Sequence, residues 1–248
     1  MADAFSGWTA AAPYPVQVPS GEGTRQDRVL VSPALVVTLD ADHRMLVVSG
    51  VPDDGHGQPE QFHATAVNIG LYGFERRAGR WVKTFERASF AWTGAYGVVG
   101  DLGVHSLAAG RTALSMENGY CGQGYCSQRL QVFALSPRGA KLLTEQMIGG
   151  NATEATLGCA EWLSGTPLAE ADKPDPMTPA NCYDVRSKWQ FEKADSDAWP
   201  DLVVTFTGTQ AVEDSRTGQT TPRVVDELLV LRHDGNGYKT LSGRNPMQ

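Results

Sequence analysis

The chain has 248 residues, 28 acidic against 21 basic side chains, and a net charge of −7. That balance argues against a nucleic-acid partner, which needs Lys and Arg gathered on one face, and no apolar run reaches the roughly 18 to 20 residues of a membrane-spanning helix. A hydrophobic content of 41% is enough to bury a core in one large domain or two small ones, and 27 Gly with 14 Pro favour short strands joined by turns.

Residues 1–26 carry Pro and Gly without a period, so they read as an extended arm, with Trp8 and Tyr14 available to pin it to the body. VLVSPALVVTL, from Val29 to Leu39, is the first strand-like run. Three segments then share one plan of acidic turn, strand, long loop, strand, tight Gly turn and strand. They begin at Asp40, Asp101 and Asp195, and their turn glycines are Gly79, Gly139 and Gly235. The separations are 39, 38 and 40 residues, and a near-constant period of this length signals a solenoid or propeller. Strands around each turn alternate apolar and polar residues, and RHDGNGYKTL supplies residues that tolerate positive φ. Residues 144–193 read as a diverged fourth unit. The expected fold is all-β: one propeller-like domain over 27–248, of four to five short antiparallel sheets, whose closure leaves only short strand edges.

Four cysteines permit three connectivities, and proximity favours Cys121–Cys126 and Cys159–Cys182. Neither pair has the two-residue spacing of a zinc knuckle, and no His lies close by. Disulfides point to an oxidising compartment, hence a periplasmic or secreted protein. MADAFSGW lacks the basic start and apolar centre of a signal peptide, which reads as a start placed after a removed signal.

The stretch DSDAWPDLVVTFTG sets Asp195, Asp197 and Asp201 in a tight loop ahead of a strand. Ca²⁺ takes six to eight oxygens from such carboxylates and carbonyls. The segment resembles the FG-GAP or VCBS-type repeat of integrin-like β-propellers, where an Asp-rich loop precedes a Leu-Val-Val-type strand. The resemblance implies a structural Ca²⁺ at Asp195, Asp197 and Asp201. Lys193 stands where the first Asp of that pattern belongs, and Ala198 where its Gly belongs. More loosely, the whole chain resembles periplasmic immunity or inhibitor proteins of bacterial toxin systems, some of which block lysozyme-like effectors.

No nucleophile elbow, zincin, phosphate-loop or dinucleotide pattern occurs. His56, Glu60 and His63 share one loop whose Gly-rich context reads as solvated. The cluster Arg76, Arg77, Arg80, Lys83 and Arg87 reads as a solvated hairpin. Long loops are expected at 51–64, 117–127 and 209–222, gathered on one rim. Rigid loops on a scaffold are where binding residues concentrate. Tyr120 and Tyr125, beside the close cysteines, are the aromatic anchors, joined by the loop carboxylates Asp53, Asp54, Glu213 and Asp214. The leading expectation is a non-catalytic exported protein that binds a protein partner, such as a cell-wall-lytic effector. The alternatives are a calcium-stabilised adhesion or glycan-binding module, and an enzyme built from His56, His63 and loop carboxylates.

Overall fold

The computed structural model describes residues 4–5, 13–20, 26–155, 158–166, 181–193 and 199–248. Strands β1 (Tyr14–Pro19), β2 (Gln26–Thr38), β3 (His43–Pro52), β4 (Val67–Arg77) and β5 (Arg80–Thr93) pair in sequence order into one sheet. Strands β6 (Asp101–Ala108), β7 (Arg111–Gly122), β8 (Tyr125–Ser136), β9 (Gly139–Asn151), β10 (Tyr183–Glu192), β11 (Asp201–Glu213), β12 (Thr220–His233) and β13 (Tyr238–Gly243) pair likewise into a second. One short helix, α1 (Cys159–Ser164), lies between β9 and β10.

The all-β class is therefore as expected, but the strands form two sheets, of five and eight strands, rather than four or five short ones. A propeller needs the hydrogen bonding to break between blades; here it runs unbroken from β6 to β13. The 40-residue period is also uneven in content. The segments from Asp40 and Asp195 lead into three strands each, whereas Asp101 opens β6, turns at Ala109 and Gly110, and so leads into four. The tight turns themselves hold, with Gly79, Gly139 and Gly235 all at positive φ. Two of the three long loops are mostly strand, since β7 and β8 cover nearly all of 117–127 and β11 and β12 most of 209–222. Strand ends that project beyond a core carry polar residues on both faces, and so resemble loops in sequence.

The chain divides into two compact units. The first comprises Met1–Asn118 and Val132–Leu142. Its interior strand β4 is buried on both faces, which is why VNIGLYGF reads as an almost continuous apolar run. Val67, Ile69 and Leu71 pack with Met45 and Val47 against Leu114, Met116, Phe133 and Leu135. The opposite face carries Tyr72, which joins Val18, Val29, Val31, Leu46, Val48 and Phe5. Gly70 lets the strands close up there, since a Cβ would stand 2.8 Å from Val48 Cγ2 and 3.1 Å from the Ala88 carbonyl. The first and last strands of this sheet, β1 and β5, touch, so it curls around the Phe5 cluster. The N-terminal arm is thus partly built into the body: Tyr14–Pro19 is a strand, and the Phe5 ring meets Tyr72 edge-on at 4.9 Å. Trp8 lies outside the described residues.

The second unit comprises Gly119–Gln131 and Leu143–Gln248. Register pairs Leu202 with Leu231 and Val204 with Leu229, and these four with Phe206 are essentially buried on the inner face. The alternate residues of the same strands point outward. Both disulfides, Cys121–Cys126 and Cys159–Cys182, join the expected partners. Cys159 and Cys182 are buried with Leu163 of α1, against Trp162 and Ala211.

Candidate functional site

Antiparallel order puts the β7–β8 tip, the end of β9, the start of β10 and the β11–β12 tip at one end of the second unit's sheet. Both disulfides lie at that end. At the β7–β8 tip, Tyr120 and Tyr125 flank the cysteines and are 44% and 37% exposed. The Tyr120 ring lies over Gly122, where a Cβ would stand 2.5 Å from its hydroxyl. On the other side of the tip, Gly124 at φ +81° sits against the backbone of Glu154 and Ala155. The Tyr183 hydroxyl donates to the Cys126 carbonyl at 3.5 Å. Burial, and after it the neighbouring Tyr125, pushes the Tyr183 phenol up from its ordinary value. The tip is therefore held by a covalent bridge, a backbone contact and a side-chain anchor, with two tyrosines left facing solvent.

Glu213 and Asp214 stand at the β11–β12 tip of the same end. Asp214 is committed to its own turn, where its carboxylate accepts from the Arg216 amide at 2.8 Å and the Thr217 amide at 3.3 Å. Asp53 and Asp54 belong to the first unit and likewise build a loop. Asp53 Oδ1 accepts from the amides of Gly55 and Gly57 at 2.8 and 2.9 Å. Its side chain is only 1% exposed; Oδ2 lies 3.0 Å from Arg28 Nε, near enough for charge pairing but not aligned as a hydrogen bond. Asp54 accepts from the His56 amide at 2.7 Å and the Gln58 amide at 3.1 Å, and the first of these holds its carboxyl below the ordinary range. Such turns satisfy backbone donors locally. Of the expected binding residues, Tyr120, Tyr125 and Glu213 are exposed and are not committed to capping a turn.

Asp195 and Asp197 lie outside the described residues. Asp201 does not fit a cation ligand, because Arg232 occupies both of its oxygens, with Nε to Oδ1 at 2.9 Å and Nη2 to Oδ2 at 2.7 Å. Trp199 and Pro200, just ahead of β11, are held as well. Tyr238 donates to the Pro200 carbonyl at 2.8 Å, and the Trp199 ring stacks on His233 at 4.8 Å. Among the described residues, no three His, Cys, Asp or Glu side chains gather to hold a metal ion. His105 is a packing histidine: its Nε2 lies 2.9 Å from Ser115 Oγ, and burial lowers its pKa.

The sequence reading missed a hollow of about 410 Å³ on the outward face of β10, β11 and β12. Its lining includes Lys188, Gln190, Glu192, Val203, Leu228 and Val230. The polar alternation of Arg186, Lys188, Gln190 and Glu192 in YDVRSKWQFE was the available signal. No protein-family model, curated protein or solved structure matches the chain.

Proposed function

We propose that the chain is an exported, non-catalytic protein-binding protein that engages its partner through the disulfide-bridged end of the second unit. The observation that carries this reading is the β7–β8 tip, where Tyr120 and Tyr125 stay exposed while Cys121–Cys126 and the contact of Gly124 with Ala155 fix the backbone. A tip fixed before binding loses little entropy on association. Tyrosines add large contact area with few torsions to freeze, and they are enriched at interfaces. Two disulfides suit an oxidising compartment, periplasmic or extracellular, and no helix among the described residues is long and apolar enough to cross a membrane. The most concrete form of the reading is an immunity or inhibitor protein that covers the active site of a cell-wall-lytic enzyme.

The test is inhibition of lysozyme-class and other peptidoglycan hydrolases, read as clearing of a cell-wall suspension. The disulfide-intact chain should inhibit at least one class, and Y120A/Y125A should lose that inhibition while keeping its melting temperature. Inhibition that survives the double substitution removes the tip from the interface. No inhibition of any hydrolase class overturns the inhibitor reading.

A further inference from the structure

The register of β10, β11 and β12 lays three rows across their outward face. The middle row is Gln190, Val203 and Val230. Two residues along each strand to one side stand Lys188, Thr205 and Leu228, and two residues to the other side Glu192 and Asp201, the latter gripped by Arg232. We propose that a second copy of this chain docks on this face about a two-fold axis. The site is distinct from the tyrosine-bearing tip and does not depend on it.

An isologous interface must be complementary to itself. This face meets that demand. Let the two-fold axis lie in the plane of the face, across the strands, along the middle row. Strand β10 of one copy then runs antiparallel over β10 of the other. Lys188 and Glu192 flank Gln190 symmetrically, so Lys188 of each copy comes over Glu192 of the other, and the pairing occurs twice. Val230 faces its own counterpart, and Val203, 8% exposed, forms the floor of the middle row. Leu228 comes over the aliphatic stem of Arg232, which can cover apolar surface while its head stays on Asp201.

The other features of the face agree. Lys188 has no ion-pair partner among the described residues, and Glu192 is held only by a 2.8 Å hydrogen bond from the neighbouring Gln190 amide. Leu228 is 49% exposed and Val224, further along β12, is 76% exposed. Exposed apolar residues on β12 beside charged residues on β10 give the face both the apolar area and the polar rim of an interface. Sheets that pack face to face interdigitate their side chains, and the 410 Å³ hollow leaves room for the long side chains of the facing copy.

The experiment is sedimentation equilibrium on the full, disulfide-intact chain at low salt, over protein concentrations from about 10 to 300 µM, the range of weak interfaces. The wild-type chain should show a monomer–dimer equilibrium. K188E and E192K should each raise the dissociation constant about tenfold, because each places like charges opposite one another at two symmetric points. The combined K188E/E192K chain restores opposite charges in exchanged positions and should return to within about twofold of wild type. Both substitutions are at exposed positions, and thermal melts confirm that each of the three variant chains is folded. A monomer throughout the range overturns the proposal, including the case in which this face serves a different protein. So does a dimer that the single substitutions leave unchanged, or one that the double substitution fails to restore.

Discussion

Arg232 holds Asp201 by both carboxylate oxygens, across the pairing of β11 with β12. This is the acidic residue that a calcium loop would have used at the entry to β11, and an internal guanidinium already neutralises it. The Asp201 side chain is 13% exposed, so removal of its partner strands a mostly desolvated charge. Arg232→Ala should therefore lower stability by about 1–3 kcal/mol in chemical denaturation. Millimolar chelator should leave the wild-type melting temperature unchanged; a fall of several degrees would restore calcium to this loop.

The same pair fixes a pH dependence. The hydrogen bonds from Arg232 hold the Asp201 carboxyl below its ordinary value of 3.8. A carboxylate whose folded pKa is depressed binds its proton more readily when unfolded. Its contribution is thus complete above pH 3.8 and is lost as pH falls through the lower folded value. Asp201→Asn should flatten the acid limb of the stability curve relative to wild type. An unchanged acid limb would show that the pair does not couple to folding.

How far the sequence carried this reading depended on what each residue had to do. The β class, the tight turns and both disulfides were legible because they are set locally, by alternation, by positive-φ glycines and by proximity. Sheet count was not, because whether β9 pairs onward with β10, some thirty residues later in the chain, is decided in space and leaves no mark in either strand. Of the candidate site, the exposure of Tyr120 and Tyr125 beside their cysteines was legible. That Asp53, Asp54 and Asp214 accept backbone amides in their own turns was not, since acids in Gly-rich stretches serve turns and recognition alike. Lys188 and Glu192 escaped notice because their significance lies in symmetry about Gln190.

Phe5 is the N-terminal residue that the extended-arm reading would have left in solvent. It is 6% exposed, meets Tyr72 edge-on at 4.9 Å and lies 5.7 Å from Tyr14. Truncating a buried Phe typically costs about 3–5 kcal/mol. Phe5→Ala should lower stability toward the lower end of that range, since an arm can shift to fill the gap more easily than a core strand. A change below about 1 kcal/mol would mean that the curl of the first sheet does not need its plug. Phe5→Leu, which keeps most of the volume, should recover over half of the loss.

Gly124 tests whether the tip is preset or adapts. It sits at φ +81°, where an L side chain is strained, and its Cβ would stand 2.5 Å from the Ala155 nitrogen. Those neighbours are backbone atoms and cannot turn aside. Gly124→Ala should therefore lift the tip off the 152–155 segment, at a cost of about 1–3 kcal/mol. Cys121–Cys126 keeps the hairpin closed meanwhile, so the change should stay local. Hydrogen exchange should quicken in β8 near Cys126 and at Tyr183, whose hydroxyl bond to the Cys126 carbonyl goes with it, and should hold steady in β11 and β12. If Tyr120 and Tyr125 bind as a fixed pair, G124A should also weaken the partner with both tyrosines still in place. Affinity that survives faster exchange would show instead that the tip orders on contact.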